Sequence, residues 1–201
     1  MNMYNLFPTP VGEFYLGRAF TTEESGFVDQ QPTHKNQGNT VSDDYYVLTH
    51  RTMAPLYDFV QSCVTEYFNQ VYAPKNKVSL RITQSWFNYS KPGEWHHKHA
   101  HPNSFISGVL YMKAAKESDK IYFYNDEYRQ LDVPASNYNL YNSRSWWLPV
   151  ETGKLMIFPS SLTHSVAPVE ADDTRISLAF NTFPVGYMGS EDNLTALHLG
   201  N

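Results

Sequence analysis

Four of the eight histidines in this chain of 201 residues fall within six positions, as His96, His97, His99 and His101, and a fifth, His164, lies far downstream. Imidazole is largely neutral near pH 7 and ligates first-row divalent metals, so this residue type at this spacing points to a metal centre. In a regular strand, side chains alternate between faces, which puts His97, His99 and His101 on one face and His96 with Lys98 on the other. Two neighbours on one face plus one histidine from a distant strand would hold an ion and leave one side of it open. The expected ligands are His99, His101 and His164, with His97 as an alternative to either of the first two. Burying three imidazoles without a compensating ion would cost on the order of several kcal/mol. His34, His50 and His198 stand alone and read as ordinary structural side chains.

The elements that must position these residues are mostly strands. From residue 77 onward, short runs rich in Val, Ile, Tyr, Phe and Trp alternate with turn residues, and predict strands over 78–89, 96–101, 105–113, 119–125, 144–150, 154–159, 163–168 and 174–183. One helix precedes them, because Met53, Leu56, Tyr57, Val60, Cys63, Val64, Tyr67, Phe68 and Val71 recur at three- and four-residue steps, and it should stop before Pro74. Cys63 falls in that apolar stripe and reads as packing rather than as a nucleophile. The segment from Leu6 to Leu16 suggests an interrupted edge strand, and 21–45 reads as a long polar loop. Such an order fits a mainly β fold: an antiparallel jelly roll, or double-stranded β-helix, with one N-terminal helix packed on a sheet, residues 1–201 forming a single domain. The stretch 126–142, with Tyr128, Tyr138 and Tyr141, is too long for a hairpin turn. With Trp146 and Trp147 at its end, it is either a substrate lid or a plain surface insertion.

Two spacings resemble cupin motifs, themselves jelly rolls: Gly93 followed after five residues by His99-Ala-His101, and Gly153 followed by Pro159, His164 and Pro168. The glutamate that a cupin would place shortly after the His-x-His pair is absent, with Phe105 and Ile106 there instead. Eleven residues past His164, Arg175 and Ser177 share one strand face. A guanidinium fork beside a hydroxyl suits a carboxylate; the alternative is an exposed Arg175 pairing with Asp172 or Asp173 in the preceding turn.

The set His99-x-His101, His164 and Arg175-x-Ser177, with Ser107-Gly108-Val109, Phe158-Pro159-Ser160 and Phe180-Asn181 around it, resembles the iron(II)- and 2-oxoglutarate-dependent dioxygenase superfamily. It is similar in particular to a branch found in marine bacteria and their phages, from about Leu6 to Phe183. The resemblance implies Fe(II) on His99, His101 and His164, and 2-oxoglutarate as co-substrate with its far carboxylate on Arg175 and Ser177. It also implies a hydrogen bond to the co-substrate from Tyr89, ten residues before His99. The implied reaction consumes O2, releases succinate and CO2, and hydroxylates a substrate carbon. The superfamily usually has Asp or Glu where this chain has His101, so here the protein ligands are all neutral and iron keeps its full charge until the dianionic co-substrate binds.

A net charge of −5 with scattered Lys and Arg offers no footprint for nucleic acid. No apolar run is long enough to span a membrane, and residues 1–12 lack a signal-peptide pattern, so a cytoplasmic location is expected, in the host if the chain is phage-encoded. A peptide side chain, a small metabolite and a lipid all suit a tyrosine-rich lid, and the architecture is compatible with a homodimer. Two other readings stay open on the residues alone: a cupin-like three-histidine metalloprotein that does not use 2-oxoglutarate, and a non-catalytic jelly-roll binding or virion protein.

Overall fold

Strand-forming runs separated by turn residues fold here into two facing sheets. The computed structural model describes residues 1–127, 130–131 and 133–200. In chain order the elements are β1 (Gly12–Tyr15), α1 (Thr22–Asp29), β2 (Thr33–Lys35), β3 (Thr40–Ser42), α2 (Ala54–Tyr72), β4 (Val78–Ser90), β5 (His96–His99), β6 (Ile106–Lys113), β7 (Lys120–Tyr124), β8 (Ser145–Pro149), β9 (Lys154–Pro159), β10 (His164–Val166), β11 (Arg175–Met188) and β12 (Leu197–Leu199). The larger sheet has the order β1-β9-β6-β11-β4-β3-β2, with β12 added beside β11; the smaller one runs β5-β10-β7-β8. All pairings between these strands are antiparallel, as a jelly roll requires.

Alternation along the central strands sorts side chains into two cores. Phe87 on β4, Leu110 on β6, Ile157 on β9, and Leu178 and Phe180 on β11 face outward onto α2, meeting its buried stripe of Leu56, Val60, Cys63, Val64, Tyr67 and Phe68. Their strand neighbours Trp86, Val109, Tyr111, Met156, Phe158 and Ala179 face the smaller sheet and pack against Ile121 and Phe123. Gly108 is needed where β6 crosses β11, because a Cβ there would lie 2.4 Å from Phe180 Cζ. The helix ends with Ala73 in the left-handed region, φ 41°, immediately before Pro74, which has no N–H to continue it. Cys63 is buried in the stripe, and burial pushes its thiol up to about 11, which fits packing.

All eight strands expected after residue 77 are present. The last extends to Met188, since β12 pairs with its end. The expected loop at 21–45 is not a plain loop: it contains α1, β2 and β3. α1 carries no strong apolar stripe and is held instead by a capping box. Thr21 Oγ1 accepts from Glu24 N, the Glu24 carboxylate accepts from Thr21 N, and Arg18 grips Glu24 at 2.6 Å. No helix among the described residues is long and apolar enough to cross a membrane.

Candidate metal centre and co-substrate pocket

Antiparallel pairing of β5 with β10 sets His99 directly opposite His164. His101 lies just beyond β5, where its backbone N–H donates to Ser160 O at 2.9 Å and holds the segment against the turn leading into β10. The ring of His164 is 4.4 Å from that of His99 and 5.1 Å from that of His101, centroid to centroid. One nitrogen from each of the three lies within 4.8 Å of the others. Nε2 of His101 and Nε2 of His164 are 3.3 Å apart. Two nitrogens at right angles on one ion, with bonds of about 2.1 Å, would be about 3 Å apart, so this spacing suits a shared ion.

Outer contacts fix how the rings present their lone pairs. His99 Nδ1 donates to His97 O at 2.7 Å and His164 Nδ1 donates to Leu162 O at 3.0 Å, leaving each Nε2 free as the ligand atom. Beneath them runs a chain of hydroxyls: Ser104 with Ser160 at 2.7 Å, Ser160 with Ser107 at 2.7 Å, and Ser107 donating to Asn181 Oδ1 at 2.9 Å. His101 is hydrogen-bonded to the Asn181 side chain. This chain ties together the motif residues that surround the ligands in sequence. His164 is 3% exposed and packs on Phe158, ring to ring at 4.6 Å. Burial, reinforced by the neighbouring rings, lowers His164 to about 3 and His101 to about 4, and lowers His99 as well. All three are therefore unprotonated at neutral pH, the state a metal ligand needs.

The simple alternation expected for this strand is broken. Val166 pairs with His96 two residues after His164 pairs with His99, so β5 carries one extra residue in a bulge. As a result His96 stacks on His99 at 4.6 Å and 21° instead of facing away with Lys98. Lys98 turns out to Asp126 and the Tyr124 ring.

Arg175 is on the inner face, 4% exposed, as a carboxylate anchor must be. Its fork already has partners, however: Nη1 donates to Asp119 Oδ1 at 2.8 Å and Nη2 to Ala167 O at 3.0 Å. The pairing with Asp172 or Asp173 does not form; Asp173 pairs with Lys113 instead. Ser177 is on the same face, half-buried and opposite Tyr111. The hydroxyl of Tyr111 is buried, has no hydrogen-bond partner among the described residues and feels the charges of both Arg175 and Asp119; burial raises its pKa, so it remains an O–H donor. An orphaned donor beside a guanidinium and a serine is what a carboxylate-bearing co-substrate would satisfy, so the residues fit the group.

Tyr89 does not join them. Alternation on β4 turns it to the helical side of the sheet, where its hydroxyl donates to Val28 O at 2.7 Å. The ten-residue offset that suggested it takes no account of strand face. Sequence reasoning missed Asp119, which sits in a charged turn that looks solvated, and Tyr111, which looks like any core aromatic. A cavity of about 850 Å³ is lined by Phe123, whose ring is 6.4 Å from that of His164, together with Leu162, Thr163, Asp126, Leu140 and Trp146. Leu140 belongs to the expected lid, of which Tyr128 lies outside the described residues; Tyr138 and Tyr141 are exposed.

Residues 84–181, from β4 to β11, match the model of the family described as "Putative 2OG-Fe(II) oxygenase". No curated protein matches the chain. Among solved structures it is similar to a 2OG-Fe(II) oxygenase family oxidoreductase from Burkholderia pseudomallei, with 13% identity, TM-score 0.59, and 86% of this chain and 83% of that one covered. It is also similar to HygX from Streptomyces hygroscopicus, crystallised with nickel, 2-oxoglutarate and hygromycin B, with 12% identity, TM-score 0.60, and 87% and 82% covered. A third similar structure is SnoN, an α-ketoglutarate-dependent epimerase of nogalamycin biosynthesis, with 10% identity, TM-score 0.59, and 87% and 78% covered. These three share the jelly-roll fold with this chain. Over residues 84–181, just under half of its length, the chain is thus similar to the 2OG-Fe(II) oxygenases.

Proposed function

We propose that this chain is an iron(II)- and 2-oxoglutarate-dependent oxygenase acting as a hydroxylase, that His99, His101 and His164 hold its iron, and that Arg175, Ser177 and Tyr111 hold the far carboxylate of 2-oxoglutarate. The observation that carries the reading is the convergence of three imidazole nitrogens, one from each of His99, His101 and His164, within 4.8 Å of one another. When bound, iron(II) and 2-oxoglutarate supply an oxidant from O2 with release of succinate and CO2. The protein contributes orientation and exclusion of water. The carbonyls of His97 and Leu162 fix the ring orientation of His99 and His164, so neither ligand needs to reorganise on binding. Three neutral ligands leave the ion's charge uncompensated, which favours a dianionic co-substrate at that position. Phe123, Leu162 and Trp146 give the adjoining cavity apolar walls, and we assign the substrate to it. Epimerisation by SnoN on this fold makes hydroxylation the specific element of the proposal.

Anaerobic titration of the iron(II) protein with 2-oxoglutarate tests the site. A visible charge-transfer band is expected with the wild type and its loss with His164→Ala; no band with the wild type refutes the assignment. Succinate release, followed by mass spectrometry of a panel of peptide, metabolite and lipid substrates, tests the reaction. A gain of one oxygen atom is the expected product signature, and an isomer of unchanged mass refutes hydroxylation.

A further inference from the structure

His99 belongs to a second trio. One nitrogen from each of His96, His97 and His99 lies within 4.8 Å of the others, as in the inner set of His99, His101 and His164. Ring centroids are 4.6 Å apart for His96 and His99, 4.7 Å for His97 and His99, and 5.1 Å for His96 and His97. The β5 bulge creates this trio by turning His96 towards His99. A second observation points to a ligand: His97 Nδ1 is buried and has no hydrogen-bond partner among the described residues. An imidazole nitrogen left in that state is costly unless something pairs with it.

The two trios are not independent. His99 Nδ1 is committed to His97 O, so His99 has a single lone pair to offer, on Nε2. One ion can be held by either set, but two ions cannot both use His99.

We propose that His96, His97 and His99 form a second, alternative site for a first-row divalent cation, which captures the ion and passes it to His101 and His164 while His99 stays bound. This rests on the inner trio being the iron site. The exchange replaces two neutral imidazoles by two others on the same ion, with no change in charge or oxidation state. Borderline-soft ions such as Fe(II), Co(II), Ni(II) and Zn(II) suit an all-nitrogen set, whereas Mg(II) and Ca(II) do not.

The test uses Co(II) alone with metal-free full chain, read by its absorption bands and by calorimetry. Wild type should bind one ion. H101Q/H164Q, confirmed folded by circular dichroism, should still bind one Co(II), weakened by about 10- to 100-fold, and should lose it when H96Q and H97Q are added. H96Q/H97Q should keep the wild-type spectrum at saturation but lose the fast phase of uptake in stopped flow. Absence of Co(II) binding by folded H101Q/H164Q overturns the second site. Uptake by H96Q/H97Q as fast as wild type overturns its capturing role. Two ions in wild type overturn the shared lone pair. Complete loss of Co(II) from H96Q/H97Q would overturn something else, the assignment of the inner trio as the iron site.

Discussion

The Arg175–Asp119 pair offers the sharpest separation of fold from function. Both side chains are almost fully enclosed, Arg175 4% and Asp119 2% exposed, and the other carboxylate oxygen of Asp119 accepts from Ala115 N at 2.7 Å. Removing one member of such a pair strands the other without water, at a cost of about 3–5 kcal/mol, whereas removing both costs far less than the sum. Asp119→Ala and Arg175→Ala should each lower stability by about 3–5 kcal/mol, and R175A/D119A should fall short of additivity by about 2 kcal/mol or more. With a urea slope of about 2 kcal/mol per molar, each single variant shifts the midpoint of the metal-free chain by about 2 M. Equilibrium urea unfolding, followed by tryptophan fluorescence and circular dichroism, reads this directly. Additive losses, or single losses within about 1 kcal/mol, would mean the pair is solvated in solution and the reasoning fails. The same Arg175→Ala protein, assayed under conditions where it is folded, should bind Co(II) as wild type does and 2-oxoglutarate more weakly. Equal loss of both would assign Arg175 to the fold.

Tyr111→Phe removes a buried hydroxyl that makes no hydrogen bond among the described residues, so stability should hold or rise by about 1 kcal/mol in urea unfolding while 2-oxoglutarate affinity, measured by calorimetry, falls; unchanged affinity would exclude the hydroxyl from the carboxylate pocket. Acid should destabilise the metal-free chain earlier than carboxylates alone would: the unfolded imidazoles take up protons near 6.5, while His101 and His164 resist until about 4 and 3. Stability is then full above about pH 6.5 and lost as pH falls below it, by about 2 kcal/mol per ring at pH 5. H101Q/H164Q should flatten that slope in urea unfolding, and an unchanged slope would count against it. Gly108→Ala places a methyl 2.4 Å from Phe180 Cζ and 2.9 Å from Met156 O, and should cost about 1–3 kcal/mol in thermal unfolding.

Much of this was legible because it depends on period. Strands from β4 to β11 announce themselves by alternation, α2 by its three- and four-residue stripe, and His99, His101 and His164 by sharing a residue type at strand spacing. What escaped depends on departures from period or on partners distant in sequence. The bulge in β5 redirects His96, and nothing in a run of four consecutive strand residues says where an extra residue is inserted. α1 has its signature in Thr21 and Glu24, yet its stability comes from capping and from Arg18 rather than from a stripe, so it looked like loop. Tyr89 was assigned by offset along the chain, while its role is set by parity along the strand. Asp119 lies 56 residues from Arg175, and only the closure of the barrel brings them together.

The serine and asparagine chain under the histidines has a bearing on how metal and fold are coupled. Because Ser104, Ser107, Ser160 and Asn181 lock the turn before His164 to β6 and β11 without any ion, the ligand geometry is prepaid by the scaffold. Chelation should empty this centre without melting the protein, and reloading should cost little ordering entropy, unlike a zinc finger whose ion must first organise its own chain.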